Sequence, residues 1–243
     1  GISYGKIQGE SLQTIREEGT AASGSLQGGD ASQYAQIRSL GYIKWAGRSV
    51  TVGTARSQEA SASCTVRWLD SAAWEELFCP AYTDIRGSYP EAERQIMLSR
   101  RGMEALGIKN PKVGMKVTLD VTIGLFGSSK ETFNLSGWFT EYGTDPAPAY
   151  ISRAKLESWG FSPDEEADIL FCQSDRLGWE ETEKRLYEEI PMRDEAQQVS
   201  VSDTAAGSAA EGVAGGYGMA ALGALVVLCG SFFLIYNVIQ ISM

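Results

Sequence analysis

The stretch Lys112-Val-Gly114-Met-Lys-Val-Thr-Leu-Asp-Val-Thr-Ile123-Gly124 decides the fold of the folded part of the chain. From Lys116 onward, Val117, Leu119, Val121 and Ile123 alternate with Lys116, Thr118, Asp120 and Thr122. A period of two places the apolar set on one face of an extended backbone, so the spacing predicts a half-buried strand. Lys112 to Gly114 open it with a turn. Thr132-Phe-Asn-Leu-Ser-Gly-Trp-Phe-Thr-Glu-Tyr142 is the expected antiparallel partner, with Gly127-Ser-Ser-Lys130 as the connecting turn. Asn134-Leu-Ser136 matches a glycosylation sequon, but it falls in mid-strand and is discounted.

On either side lies a strand followed by a serine, a helix and a glycine. The first has a strand at Gln95 to Leu98, Ser99 as N-cap, a helix, and Gly107 as the stop. The second is Ala149-Tyr-Ile-Ser152-Arg-Ala-Lys-Leu-Glu-Ser-Trp-Gly160. The echo has two readings, a duplication or the same capping chemistry used twice.

Upstream, Gly1 to Gln8 alternates like a strand, and Glu10 to Glu18 reads as a short helix stopped by Gly19. Thr20 to Gly29 is small and polar and reads as a loop, and Ala31 to Leu40 as a helix. Tyr42 to Trp45 and Ser49 to Val52 read as two strands joined by a turn at Gly47-Arg48. Cys64 to Leu69 is a third strand. Asp70 or Ser71 then caps a helix through Phe78, ended by Pro80. Downstream, Asp168 to Cys172 is a strand. Trp179 to Ile190 is an amphipathic helix with Trp179, Leu186 and Ile190 inward, and with Glu180–Lys184 and Glu181–Arg185 paired outside. Gln198 to Ser202 closes with a strand. The expected class is α+β, a mixed domain of short strands and edge helices.

Beyond Glu211 the charges stop. Met219 to Ile241 is a run long enough for a helix to cross a bilayer core of about 30 Å. We read it as one C-terminal transmembrane helix. The expected division is a domain over 1–203, in which 90–147 could form a second subdomain, a small-residue stalk over 204–216 and a membrane helix over 217–243. Gly212, Gly216, Ala220 and Ala224 recur every four residues and share one helix face, where small side chains let a second helix approach. Asn237 and Gln240 sit near the far end, where polar groups need a partner helix or the interface.

Composition narrows the function. The net charge is −10, all of it before residue 212, which argues against nucleic acid and against docking on anionic lipid. There is no histidine, which removes Ser-His-Asp and Cys-His catalysis, most zinc sites and the usual neutral-pH base. Four cysteines, Cys64, Cys79, Cys172 and Cys229, form no C-x-x-C. A Cys64–Cys79 bridge and buried free thiols are both open. No catalytic residue, cofactor site or metal site is expected.

Three stretches, in this order, carry a family resemblance. They are Pro90 through Ser99 to Gly107-Ile108 and Lys112-Val-Gly114-Met-Lys-Val-Thr-Leu; Phe133-Asn-Leu-Ser-Gly137-Trp-Phe-Thr-Glu-Tyr with Ala149-Tyr-Ile-Ser152; and Phe233-Leu-Ile-Tyr236-Asn237-Val-Ile-Gln-Ile-Ser242. Together they resemble a MacB-like periplasmic core domain followed by the start of an FtsX-like ABC transporter permease domain. Gln95 stands where the family often has Glu, and Met115 where Asp is frequent.

The resemblance implies a non-catalytic permease subunit with an extracytoplasmic domain between its first and second membrane helices. The first helix would precede Gly1, and further spans would follow Met243. The implied partners are a separate cytoplasmic ATPase, a second permease copy or half, and the lipid bilayer. The competing reading is a tail-anchored surface binding module without a transport role. A membrane-tethered enzyme using carboxylates is a third.

Overall fold

The computed structural model describes residues 12–58, 60, 62–124, 126–143, 146–174 and 177–202. The chain enters through a short helix α1 (12–18), stopped by Gly19 at φ +78°. It continues as β1 (Gly24–Gly29), α2 (Ala31–Ser39), β2 (Ile43–Arg56), β3 (Ser63–Leu69), β4 (Thr83–Gly87), β5 (Gln95–Ser99) and α3 (Arg100–Ala105). Then come β6 (Lys116–Ile123), β7 (Phe126–Thr140), β8 (Ala147–Ile151), α4 (Arg153–Ser158), β9 (Ala167–Gln173), α5 (Trp179–Glu189) and β10 (Val199–Val201). The strands form one mixed sheet in the order β10-β1-β9-β2-β3-β8-β5-β7-β4, with β6 laid against β2 and β7. The expected α+β class is observed.

Alternation sorts the core onto the two faces of the sheet. Trp68, Ile96, Leu98, Ala149 and Ile151 lie in one apolar cluster with Met103 of α3 and Leu156 of α4. Leu26, Ile169 and Phe171 join Ile37 of α2 and Leu186 and Ile190 around α5 in a second. Their strand neighbours Leu69, Met97 and Tyr150 necessarily point the other way. There they meet Trp74, Leu77 and Phe78. These last residues belong to a helical turn over Ala73–Phe78 that winds as a π-helix, Cys79 N–H donating to Trp74 O. Asp70 Oδ1 caps this turn by accepting from Ala73 N at 2.8 Å, as expected.

Several local expectations are corrected. The segment 24–29 is a buried strand rather than a loop. Its glycines are small because β9 fills the space: a Cβ at Gly24 would strike the Phe171 ring, and one at Gly29 the Ile169 side chain. The stretch expected as a hairpin over Tyr42 to Val52 is not one: from Ile43 it belongs to one fourteen-residue strand. Gly47 makes no turn; the backbone of Ala73 crosses directly above it. The β6–β7 turn lies between Ile123 and Phe126 rather than at Gly127–Lys130, and Gly124 supplies the left-handed backbone at φ +60°. Trp179 is exposed rather than inward, while Leu186 and Ile190 are buried as expected. Of the expected outer pairs, Arg185 and Glu181 meet at 3.0 Å. Cys64, Cys79 and Cys172 are free thiols, so Cys64 and Cys79 are not bridged.

Gln95 takes up its own work. Its Oε1 accepts from Glu91 N and Ala92 N, both at 2.9 Å, closing the turn before β5. Met115 Sδ accepts from Lys112 N at 3.4 Å in the turn before β6. Ser136, within the sequon, is buried in β7 and donates to Ser88 O at 2.8 Å.

Candidate functional site

The place where the domain hands its chain on toward residue 203 is held by a dense set of polar contacts. β10 is only three residues long, Val199, Ser200 and Val201 lying opposite Leu26, Ser25 and Gly24 of β1. Backbone bonds extend the ladder at both ends, Gln27 N to Gln198 O and Ser202 N to Ser23 O, each at 3.0 Å. A strand this short gains little from its own ladder, so other groups must hold it.

Gln197 and Gln33 do so. Both are buried. Gln33 Nε2 donates to Gln197 Oε1 at 2.8 Å, and Gln197 Nε2 donates back to Gln33 Oε1 at 2.9 Å. The remaining capacity of both amides is also used. Gln33 Oε1 accepts from Asp30 N, and Gln33 Nε2 donates to Pro191 O. Gln197 Oε1 accepts from Arg193 N, and the second N–H of Gln197 Nε2 is shared between Gln27 O and Gly28 O. A fully satisfied buried amide pair fixes one geometry, because each group left open would cost its desolvation.

Gln33 is placed by helix capping. Asp30 is the N-cap of α2, its Oδ1 accepting from Gln33 N at 2.8 Å, and Gln33 is the third helical residue that completes the capping box. Tyr187 of α5 adds a lateral hold: its hydroxyl accepts from Val199 N at 2.9 Å and donates to Val199 O at 3.4 Å. Arg193 Nη1 donates to Gly28 O and Glu165 O, tying the loop before β10 to the end of β1.

Two further polar groups sit on the sheet. On the α2 face, Arg48 bonds Asp70 at 3.2 Å and Asp164 at 2.7 Å, Arg153 bonds Asp164 at 3.0 Å, and both guanidiniums lie over Trp68. Tyr34 OH donates to Asp70 Oδ2, and burial beside that carboxylate pushes the Tyr34 phenol up to about 12. This chain of groups bridges the two apolar clusters of that face. On the opposite face, partly buried Asp168 accepts from Gly28 N at 3.1 Å, and burial raises its carboxyl above the usual value.

Gly212, Gly216, Ala220, Ala224, Asn237 and Gln240 lie outside the described residues. Among the described residues no helix is long and apolar enough to cross a membrane, and no group of three or more His, Cys, Asp or Glu is arranged to hold a metal ion. Sequence reasoning missed Gln33, Gln197 and Tyr187. The Asp30-x-x-Gln33 spacing was a usable signal for a capping box. Gln197 had none, because its partner is 164 residues away.

No family model matches the sequence, and no curated protein matches it. Solved structures do. The fold is similar to that of the extracellular domain of an ABC-type transporter, which bears out the resemblance of the soluble domain at the level of fold. In particular, the chain is similar to the extracellular domain of the noncanonic ABC-type transporter YknZ from Gram-positive bacteria. That match has a TM-score of 0.51 at 14% identity and covers 71% of this chain and 89% of that one. The periplasmic region of MacB from Actinobacillus actinomycetemcomitans is also similar, with a TM-score of 0.48 at 13% identity, covering 80% of this chain and 93% of that one.

Proposed function

We propose that this chain is the extracytoplasmic domain and second membrane helix of an ABC transporter permease subunit. Its domain moves when a separate cytoplasmic ATPase closes on ATP, and the work done outside is export, lipoprotein release, peptide resistance or control of a cell-wall hydrolase. The observation that carries the reading is the fold, shared with the YknZ extracellular domain over most of that domain's length. The uncharged run Met219 to Ile241 supports it, since a helix there is the right length to span lipid. In this reading 1–203 is the outer domain, 204–216 the stalk and 217–243 the membrane helix. Gly212, Gly216, Ala220 and Ala224 form the face that meets a second helix, and Asn237 and Gln240 contact a neighbour at the far end.

Purification of the full-length protein from its own membrane in mild detergent tests this. A stoichiometric ATPase subunit is expected to accompany it, and Ala220→Leu is expected to weaken that assembly or uncouple its ATP hydrolysis. Recovery of a membrane protein with no ATPase at any detergent strength contradicts the reading and leaves a simple surface anchor.

A further inference from the structure

We infer that the Gln33–Gln197 amide pair is the joint through which force from the stalk enters the domain, an inference that rests on the permease reading above. The argument is geometric. The chain leaves the domain from β10, so the component of a load on the segment beyond Ser202 that lies along β10 acts on that strand end-on. Ladder hydrogen bonds in an antiparallel pair run perpendicular to the strands. A pull along β10 therefore loads the β10–β1 bonds in shear, all together, rather than opening them one after another. Three residue pairs, with one further backbone bond at each end, form a short ladder.

The amide pair lies at the opposite end of β10 from the exit, two residues before Val199. It joins the loop before β10 to α2 through Gln33, and to β1 through Gln27 O and Gly28 O. β1 in turn pairs with β9, and β9 with β2, the strand shared by both halves of the sheet. A load on the stalk thus passes to the middle of the sheet and to α2 before β10 can slide. The pair has no slack: both amides use their donors and acceptors on partners fixed by three different elements. Tyr187 holds Val199 from the side, so it resists peeling more than sliding.

Single-molecule pulling on the full chain in a detergent micelle tests the joint. Handles are attached through Asp203→Cys, one residue past Ser202, and Val113→Cys, an exposed site before β6, with the native cysteines replaced. Gln197→Leu is expected to lower the force of the first rupture roughly twofold or more, because it removes bonds that share the load with the ladder. Leu119→Ala, a buried truncation in the other half of the sheet, serves as a control and is expected to keep the wild-type first-rupture force even where its melting temperature falls as far. Tyr187→Phe supplies a second variant, expected to give a smaller drop. Equal first-rupture forces in Gln197→Leu and wild type overturn the inference. The permease reading fails separately: a weakened joint without any ATP-driven movement of the domain keeps the joint and removes the transporter. ATP-driven movement with an unchanged rupture force does the reverse.

Discussion

Ser99 and Ser152 occupy equivalent positions about a local two-fold axis between β5 and β8. The strands that precede them pair antiparallel, with Ile96 opposite Ile151, Met97 opposite Tyr150 and Leu98 opposite Ala149. The two serines share one conformation, φ −76° with ψ 160° and 161°. Each is buried and caps the helix that follows, Ser99 Oγ accepting from Gly102 N at 2.9 Å and Ser152 Oγ from Lys155 N at 3.0 Å. Both helices end at a glycine in the left-handed region, Gly107 and Gly160. The echo in the sequence is therefore a real repeat of structure, and it places α3 and α4 over one core.

Ser99→Ala and Ser152→Ala each lose an N-cap in a buried setting. Each is expected to cost about 1–2 kcal/mol of unfolding free energy, measured by urea denaturation. Substitution of an exposed serine such as Ser32 is expected to change it by less than about 0.5 kcal/mol.

Gln197→Leu leaves Arg193 N, Gln27 O and one side of the Gln33 amide without their bonds. A loss of about 3 kcal/mol is expected, the sum of several unmet buried polar groups. Gln33→Leu is expected to cost a similar amount. The double variant is expected to cost clearly less than the two single losses together, because the second change removes a group already orphaned. Strict additivity in a double-mutant cycle contradicts the reciprocal pairing.

Gly47→Val forces a side chain into the backbone of Ala73 above β2. A loss of about 3 kcal/mol or more is expected in thermal or urea unfolding. Gly143→Ala, with open space around the glycine, is expected to be neutral or slightly stabilising.

The carboxyl of Asp168 is raised above its ordinary value of 3.8 by burial. Between that value and the raised one, the folded chain holds more proton than the unfolded chain, so this group lowers stability as pH rises through the window. Asp168→Asn keeps an oxygen to accept from Gly28 N and removes the buried charge. It is expected to melt no lower than wild type at pH 7, with any advantage shrinking toward pH 4. A melting temperature well below wild type at pH 7 contradicts this account of the site.

The legible parts of the sequence were those where one local rule decides. The alternation of Val117, Leu119 and Val121 gave β6, and the Ser-to-Gly units gave α3 and α4. The parts that misled depend on a neighbour far along the chain. Gly24 and Gly29 look like loop residues, yet they are small because Phe171 and Ile169 lie against them. Gly47 looks like a turn and is instead the floor under Ala73. β4 carried no clear pattern: its pairing with β7 is bulged between Thr83 and Arg86, and Asp84 takes a left-handed φ of +49°. The small-residue stripe from Gly212 to Ala224 was legible as a pattern, but it belongs to the part outside the described residues. The Gln33–Gln197 pair could not be read locally, since a reciprocal amide bond leaves no periodicity.

The central claim is that an ATPase on the other side of the membrane moves this domain. The most direct measurement is the distance between two spin labels, one on each permease copy at exposed Glu188→Cys, in the full-length protein reconstituted with its ATPase in nanodiscs. The account predicts that the distance distribution shifts between the nucleotide-free state and the state trapped with ATP and vanadate. Superimposable distributions in a complex that hydrolyses ATP contradict it.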